Sequence, residues 1–224
     1  MNHNAEKPSY EFNDAKKEVK ITRYNTATPC MNYLSNGTFH TMISQAGGGV
    51  AFYRSPQIWR INHYRFFHLP TDRSGFYVYI KDGDHIFCPT AEPVSEKPEH
   101  WCATHGMGYT KFESEHRGIK ADLRFHIGYK ENALVWELHL TSDRDRRIKV
   151  FPYVELGMME FMRELQWQCY NKHQLFVYTL DDILVYKYGV ENQPRPNEPP
   201  LIYFAADVPV SGYDGDRDEF GGTY

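Results

Sequence analysis

Ile119-Lys120-Ala121-Asp122-Leu123-Arg124-Phe125-His126-Ile127 is the stretch that decides the fold class. Ile119, Ala121, Leu123, Phe125 and Ile127 share one side of an extended chain, and Lys120, Asp122, Arg124 and His126 share the other. Successive side chains of a strand point to opposite faces, so this alternation predicts a strand with one face in a core and one in water. Gly128-Tyr129-Lys130-Glu131-Asn132 then suits a hairpin loop, and residues 133–140 (ALVWELHL) resume strand character. Further out, residues 76–80 (FYVYI) are aromatic and β-branched and run into a Lys81-Asp82-Gly83-Asp84 turn. Residues 175–180 and 183–190 flank Asp181-Asp182 as a second hairpin, and 201–206 closes the set. No run of twelve or more residues repeats at helical spacing with caps. Residues 157–168 are the best helix candidate, but their apolar side chains do not share one face. The expectation is an all-β, antiparallel sandwich. The Pro-rich stretch 192–200 (NQPRPNEPP) reads as an exposed loop between strands.

The 224 residues suit one large β domain, and 41% hydrophobic with 24% charged residues describes a globular chain. Aromatics reach 16%. Flat rings pack well on pleated surfaces, and they also stack on the C–H faces of sugars. A net charge of −4 without a basic stripe excludes a nucleic-acid footprint. No segment approaches the roughly 18 apolar residues of a membrane helix, so no membrane partner is expected. Residues 1–20 form a polar lead-in without a signal core, ahead of a β-sandwich over 21–224. Cys30, Cys88, Cys102 and Cys169 are scattered, as free thiols of a reducing, cytoplasmic protein would be.

Several constellations could carry chemistry. His85 and Cys88 stand three apart, and His100, Cys102 and His105 cluster later, but the spacings match no standard zinc finger. The reading is packed cysteines and ordinary loop histidines, with no metal and no bound cofactor. Asp214, Asp216 and Asp218 alternate as in an EF-hand but lack its glycine and closing glutamate. Ala46-Gly47-Gly48-Gly49 lacks the Gly-Lys-Ser/Thr of a phosphate loop and precedes a strand-like Val50-Ala51-Phe52-Tyr53, so a close backbone approach is expected. Glu155 stands in the apolar run Tyr153-Val154-Glu155-Leu156, where a structural ion pair or an acid role are both open. Cys169 beside Tyr170 and His173 has no supporting nucleophile motif.

Ordered short motifs go further. Asn32-Tyr33-Leu34-Ser35-Asn36-Gly37 is followed by Ser44-Gln45-Ala46-Gly47-Gly48-Gly49 and Phe52-Tyr53. Next come Ser74-Gly75-Phe76-Tyr77-Val78-Tyr79 with Asp82, then Pro89-Thr90, then His105-Gly106-Met107-Gly108-Tyr109-Thr110. Tyr153-Val154-Glu155-Leu156 and Tyr213-Asp214-Gly215-Asp216-Arg217-Asp218-Glu219-Phe220 complete the series. In this order they resemble the start of the glycoside hydrolase family 94 phosphorylases, which include cellobiose, cellodextrin, chitobiose and laminaribiose phosphorylases. Two positions depart from the family pattern: Phe76 replaces an arginine, and Phe87-Cys88 replaces a Trp-Ser or Trp-Thr pair.

The resemblance implies a mutarotase-like supersandwich that precedes a helical (α/α)6 catalytic barrel, the sequence stopping short of that barrel. It implies inverting cleavage of a β-glycoside by inorganic phosphate, giving an α-sugar 1-phosphate, with one aspartate as general acid and phosphate in place of water. No catalytic residue is carried onto this chain. The resemblance also implies a homodimer, in which one sandwich loop reaches the substrate of the neighbouring subunit. That loop maps to Trp167-Gln168-Cys169-Tyr170-Asn171-Lys172, with Tyr170, Asn171 and Lys172 at its aromatic, Gln and Arg positions. Trp167, Gln168, Tyr170, Asn171 and Lys172 are therefore the expected contacts to a β-linked oligosaccharide, by ring stacking and hydroxyl hydrogen bonds. Two alternatives differ in class. One is a stand-alone carbohydrate-binding or structural module. The other is an epimerase using His105 and Glu155 as acid and base.

Overall fold

The computed structural model describes residues 9–63, 74–157, 160–166, 175–188, 201–216 and 219–220. Within them the chain is an all-β supersandwich of antiparallel strands with one short helix. The sheet that carries the decisive stretch contains β1 (Tyr10–Asn13), β2 (Glu18–Ile21), β8 (His100–His105), β9 (Tyr109–His116), β10 (Ile119–Ile127) and β11 (Leu134–Ser142). Its order is β1-β2-β8-β9-β10-β11. Ile119, Ala121, Leu123 and Phe125 are fully buried along β10, so the alternation in the sequence is the alternation in the structure. The 128–132 loop does close a hairpin, with Ile127 opposite Leu134 and Phe125 opposite Trp136. The polar segment before residue 21 holds two strands of this sheet, with Tyr10 opposite Ile21.

The facing layer is made of pieces. β3 (Met31–Ser35), β4 (Phe39–Ser44) and β5 (Gly49–Tyr53) form one three-stranded sheet, and β12 (Ile148–Val154), β6 (Phe76–Asp82) and β7 (His85–Phe87) form another. Two junctions stitch them. Gly49 N–H donates to Ser74 O (3.1 Å), and Phe76 N–H donates to Gly47 O (2.9 Å). A Cβ on Gly75 would overlap the Gly47 carbonyl, and one on Gly49 would overlap that of Met42. The expected close backbone approach is what the glycine run provides. At the second junction residues 60–63 bridge β5 and the end of β12: Ile61 N–H donates to Ala51 O, Gly157 N–H to Ile61 O and His63 N–H to Glu155 O.

The core between the layers is continuous. Ile21, Phe112, Leu123 and Phe125 from the six-stranded sheet meet Leu34, Ile43, Val78, Ile80 and Phe87 from the other side. Each such side chain contributes about 1.5–3 kcal/mol by leaving water. A third small sheet, β13 (Leu175–Leu180), β14 (Ile183–Tyr188) and β15 (Leu201–Phe204), joins through the edge-on contact of Phe204 with Trp136 at 5.5 Å. The hairpin expected around Asp181-Asp182 is present, with Asp181 in the left-handed region (φ 51°). The helix candidate shrinks to α1 (Phe161–Gln166). The Pro-rich 192–200 stretch lies outside the described residues.

Candidate functional site

Trp167, Gln168, Tyr170, Asn171 and Lys172 lie outside the described residues, as do Cys169 and His173. The segment that leads toward their loop is described, and it is held at two places. β12 runs out through Glu155, Leu156 and Gly157, where the 60–63 strip pairs with it. Asn62, fully buried, locks that strip: its Nδ2 donates to Gly49 O (2.9 Å) and its Oδ1 accepts from Ala51 N–H (2.7 Å). On the far side, Phe161 N–H donates to Gln57 O at 2.9 Å, and the Arg60 guanidinium lies 5.0 Å over the Phe161 ring. The described residues ahead of the loop are thus tied to β5 and to the 57–63 segment.

Near the end of β12 three separated motif elements meet. Phe220 stacks on Tyr153 with centroids 5.1 Å apart and planes 18° from parallel, and it meets Tyr79 edge-on at 5.6 Å. Tyr79 and Tyr153 meet edge-on across β6 and β12, diagonal to the strand register, with ring centroids 5.9 Å apart. Acidic groups border the same end of the sheet. Burial, and then the charges of Glu155 and Asp214, push the Tyr186 hydroxyl to a higher pKa than a free tyrosine. Asp214 Oδ1 accepts from the Asp216 N–H at 2.9 Å, which makes the aspartate run an Asx turn. Asp218 lies outside the described residues.

The remaining motif residues hold the frame. Asn32 Nδ2 donates to Gly106 O, Tyr109 O and Thr110 Oγ1 at 2.9–3.1 Å, tying the first motif to the His105–Thr110 element. Asn36 Nδ2 clasps the 128–132 loop through Gly128 O and Glu131 O, both at 2.9 Å. Gln45 Nε2 donates to Tyr24 O and Thr26 Oγ1, while its Oε1 accepts from Cys30 N–H. The motifs are thus mostly contacts between distant segments, which is what an ordered motif series in a β-sandwich has to supply.

The profile of the glycosyl hydrolase 94 supersandwich domain matches residues 17–224. The chain belongs to the glycosyl hydrolase 94 family. It is 32% identical over 224 residues to an N,N'-diacetylchitobiose phosphorylase of Vibrio furnissii and 30% identical over 223 residues to one of Vibrio proteolyticus. In both cases the match covers 95% of this chain and 27% of the relative. A solabiose phosphorylase of Paenibacillus borealis is 28% identical over 218 residues, covering 95% of this chain and 28% of its own. The chain thus spans little more than a quarter of the length of these relatives.

Within this glycosyl hydrolase 94 supersandwich the histidines sort differently from their sequence spacing. His105 does not join His100 and Cys102, because it falls on the opposite face of β8. Cys102 Sγ lies 3.5 Å from Glu113 Oε2, and burial, then Glu113's charge, pushes the thiol up to about 11. His105 donates from Nε2 to Cys30 O at 3.0 Å, with Thr110 Oγ1 at its Nδ1. Burial lowers its pKa, so it is a satisfied neutral side chain and a poor proton donor. Glu155 follows β12 in the other layer, which gives the epimerase reading no geometric support. His85 finds Glu96 and His116 instead of Cys88, and their ligand atoms lie within 4.8 Å of one another. Sequence spacing missed this group because His116 comes from β9. The available signal was an inward-facing histidine at the end of an alternating strand.

Proposed function

We propose that this chain is the supersandwich part of an inverting β-glycoside phosphorylase, which takes a β-linked disaccharide or oligosaccharide and inorganic phosphate to an α-sugar 1-phosphate and a shortened acceptor. The observation that carries this reading is the family match over residues 17–224, together with relatives that are named as phosphorylases. In this reading the general acid and the phosphate ligands belong to a helical barrel outside these 224 residues. The supersandwich supplies scaffold and subunit contacts in a homodimer. It also supplies the loop bearing Trp167, Gln168, Tyr170, Asn171 and Lys172, and the tied segment that leads toward that loop supports such a role. Phosphate is a co-substrate, and turnover needs no bound cofactor. The unpaired thiols of Cys30, Cys88 and Cys102 support a cytoplasmic setting. Among the described residues no helix is long and apolar enough to cross a membrane.

The test is release of sugar 1-phosphate by the full-length protein from a panel of β-disaccharides including N,N'-diacetylchitobiose and solabiose. No turnover on any member, with glycan binding by this chain alone, would replace the reading with a carbohydrate-binding module. For the loop, Tyr170→Ala raises KM roughly 3–10-fold if a ring–sugar stack is lost, and an unchanged KM removes Tyr170 from the site.

A further inference from the structure

At the end of the sandwich where β7, β9 and the 88–99 connection converge, two histidines and a glutamate face one another. The His85 side chain is 7% exposed, and His116 is 3% exposed. His85 Nδ1 lies 3.1 Å from Glu96 Oε2. His116 packs flat on Phe87, with centroids 4.2 Å apart, and Phe87 in turn stacks on His85 at 5.6 Å. The Nε2 atoms of both histidines are buried and have no hydrogen-bond partner among the described residues. An open cleft of about 570 Å³, lined by Asp82, Asp84, Glu96 and Arg117 among others, reaches His85 from solvent.

A His85–Glu96 ion pair would explain one contact of this group. It would not explain why a second imidazole is buried against the first with its Nε2 unused. Two neutral imidazoles and one carboxylate are the donor set that zinc takes at three-ligand sites, leaving a fourth position for water. Tetrahedral coordination at roughly 2.0–2.1 Å sets ligand atoms about 3.3 Å apart. The 3.1 Å pair already matches, and the full group within 4.8 Å needs only side-chain adjustment to close. Calcium and magnesium are poor fits, because both favour oxygen ligands.

We propose that His85, Glu96 and His116 form a binding site for one divalent transition metal of the zinc class. The metal joins the two layers and the intervening connection, so it acts as a clip at this end of the sandwich. His116 is buried, and its Nε2 atom has no hydrogen-bond partner among the described residues. Arg146 pairs with Asp82 (2.6 Å) and Asp143 (2.7 Å), and Glu96 is the carboxylate whose oxygen lies within 4.8 Å of a ligand atom on each histidine. This inference stands apart from the phosphorylase reading, because metal binding is read without turnover.

The experiment titrates the chelator-stripped full-length protein with zinc chloride against a chromophoric chelator, and follows thermal unfolding with and without zinc. One zinc per chain and a zinc-dependent rise in Tm are expected. Glu96→Gln weakens zinc binding roughly 10–100-fold, His116→Gln weakens it further, and His100→Gln leaves it unchanged. Zinc binding that is absent, or that survives both substitutions at the group, overturns the site and leaves a bridging water as the partner of the two rings. Should the variants not fold, cobalt(II) added to the unaltered protein decides the matter. Intense visible bands of low-coordinate cobalt support the site, and the weak spectrum of hydrated cobalt overturns it.

Discussion

The β9–β10–β11 meander and the stitched layer of β3–β7 with β12 build the same core by opposite means. In the meander each strand pairs with the next in sequence, through the tight Arg117-Gly118 turn and then the 128–132 loop. In the stitched layer β12 pairs with β6, far back in the chain, and single bridges at Gly48–Gly75 and Asn62–Leu156 close the gaps. Local pairing needs only alternation and turns. Long-range pairing needs particular residues at the seams, and those residues are the glycines and Asn62. The difference teaches that in this chain local alternation builds the strands, and particular residues build the seams between distant segments.

The largest expected effect tests the meander. Phe125 is fully buried among Phe76, Phe112 and Trp136, and Phe125→Ala costs about 3–5 kcal/mol in urea unfolding. A loss below about 1 kcal/mol would mean that the core does not depend on this hairpin. The seam comes next. Asn62→Ala strands a buried Ala51 N–H and a Gly49 carbonyl, for a loss of about 2–4 kcal/mol. Hydrogen exchange should then speed up in residues 49–53 and 155–157 and stay slow in β10; uniform acceleration would erase the contrast between the layers.

A shallower effect comes from pH at the contact between the layers. Burial holds the folded pKa of His105 below its ordinary 6.5. The unfolded chain therefore binds more protons between those two values, and stability rises with pH there. The contribution is fully present above about pH 6.5 and is lost as pH falls through the folded value. His105→Gln should flatten that part of the stability–pH curve, and an unchanged slope would show that His105 does not titrate in this way.

How much of this was legible follows the same division. β10 and β11 were readable because their inward face is apolar throughout. β9 was not, since its inward face carries Thr110, Ser114 and His116 beside Phe112, and a hydrophobic pattern is silent there. β12 was hidden by Pro152, which its edge position tolerates. Cys88 and Cys102, packed thiols by their sequence setting, are buried. Spacing along the chain does not group the histidines correctly, because the sheet, not the chain, brings His85 to His116.

The sequence by itself determined the strand-rich class, the main hairpins, the close approach at the glycine run and the family, because alternation, turn chemistry and motif order are properties of neighbouring residues. Only the tertiary structure decided that β12 pairs with β6, that Asn62 ties the 60–63 strip to β5, and that His85, Glu96 and His116 share one end of the sandwich. Those contacts join segments that are not neighbours in the chain, and what brings them together is the burial of one continuous core between two layers, which no local pattern records.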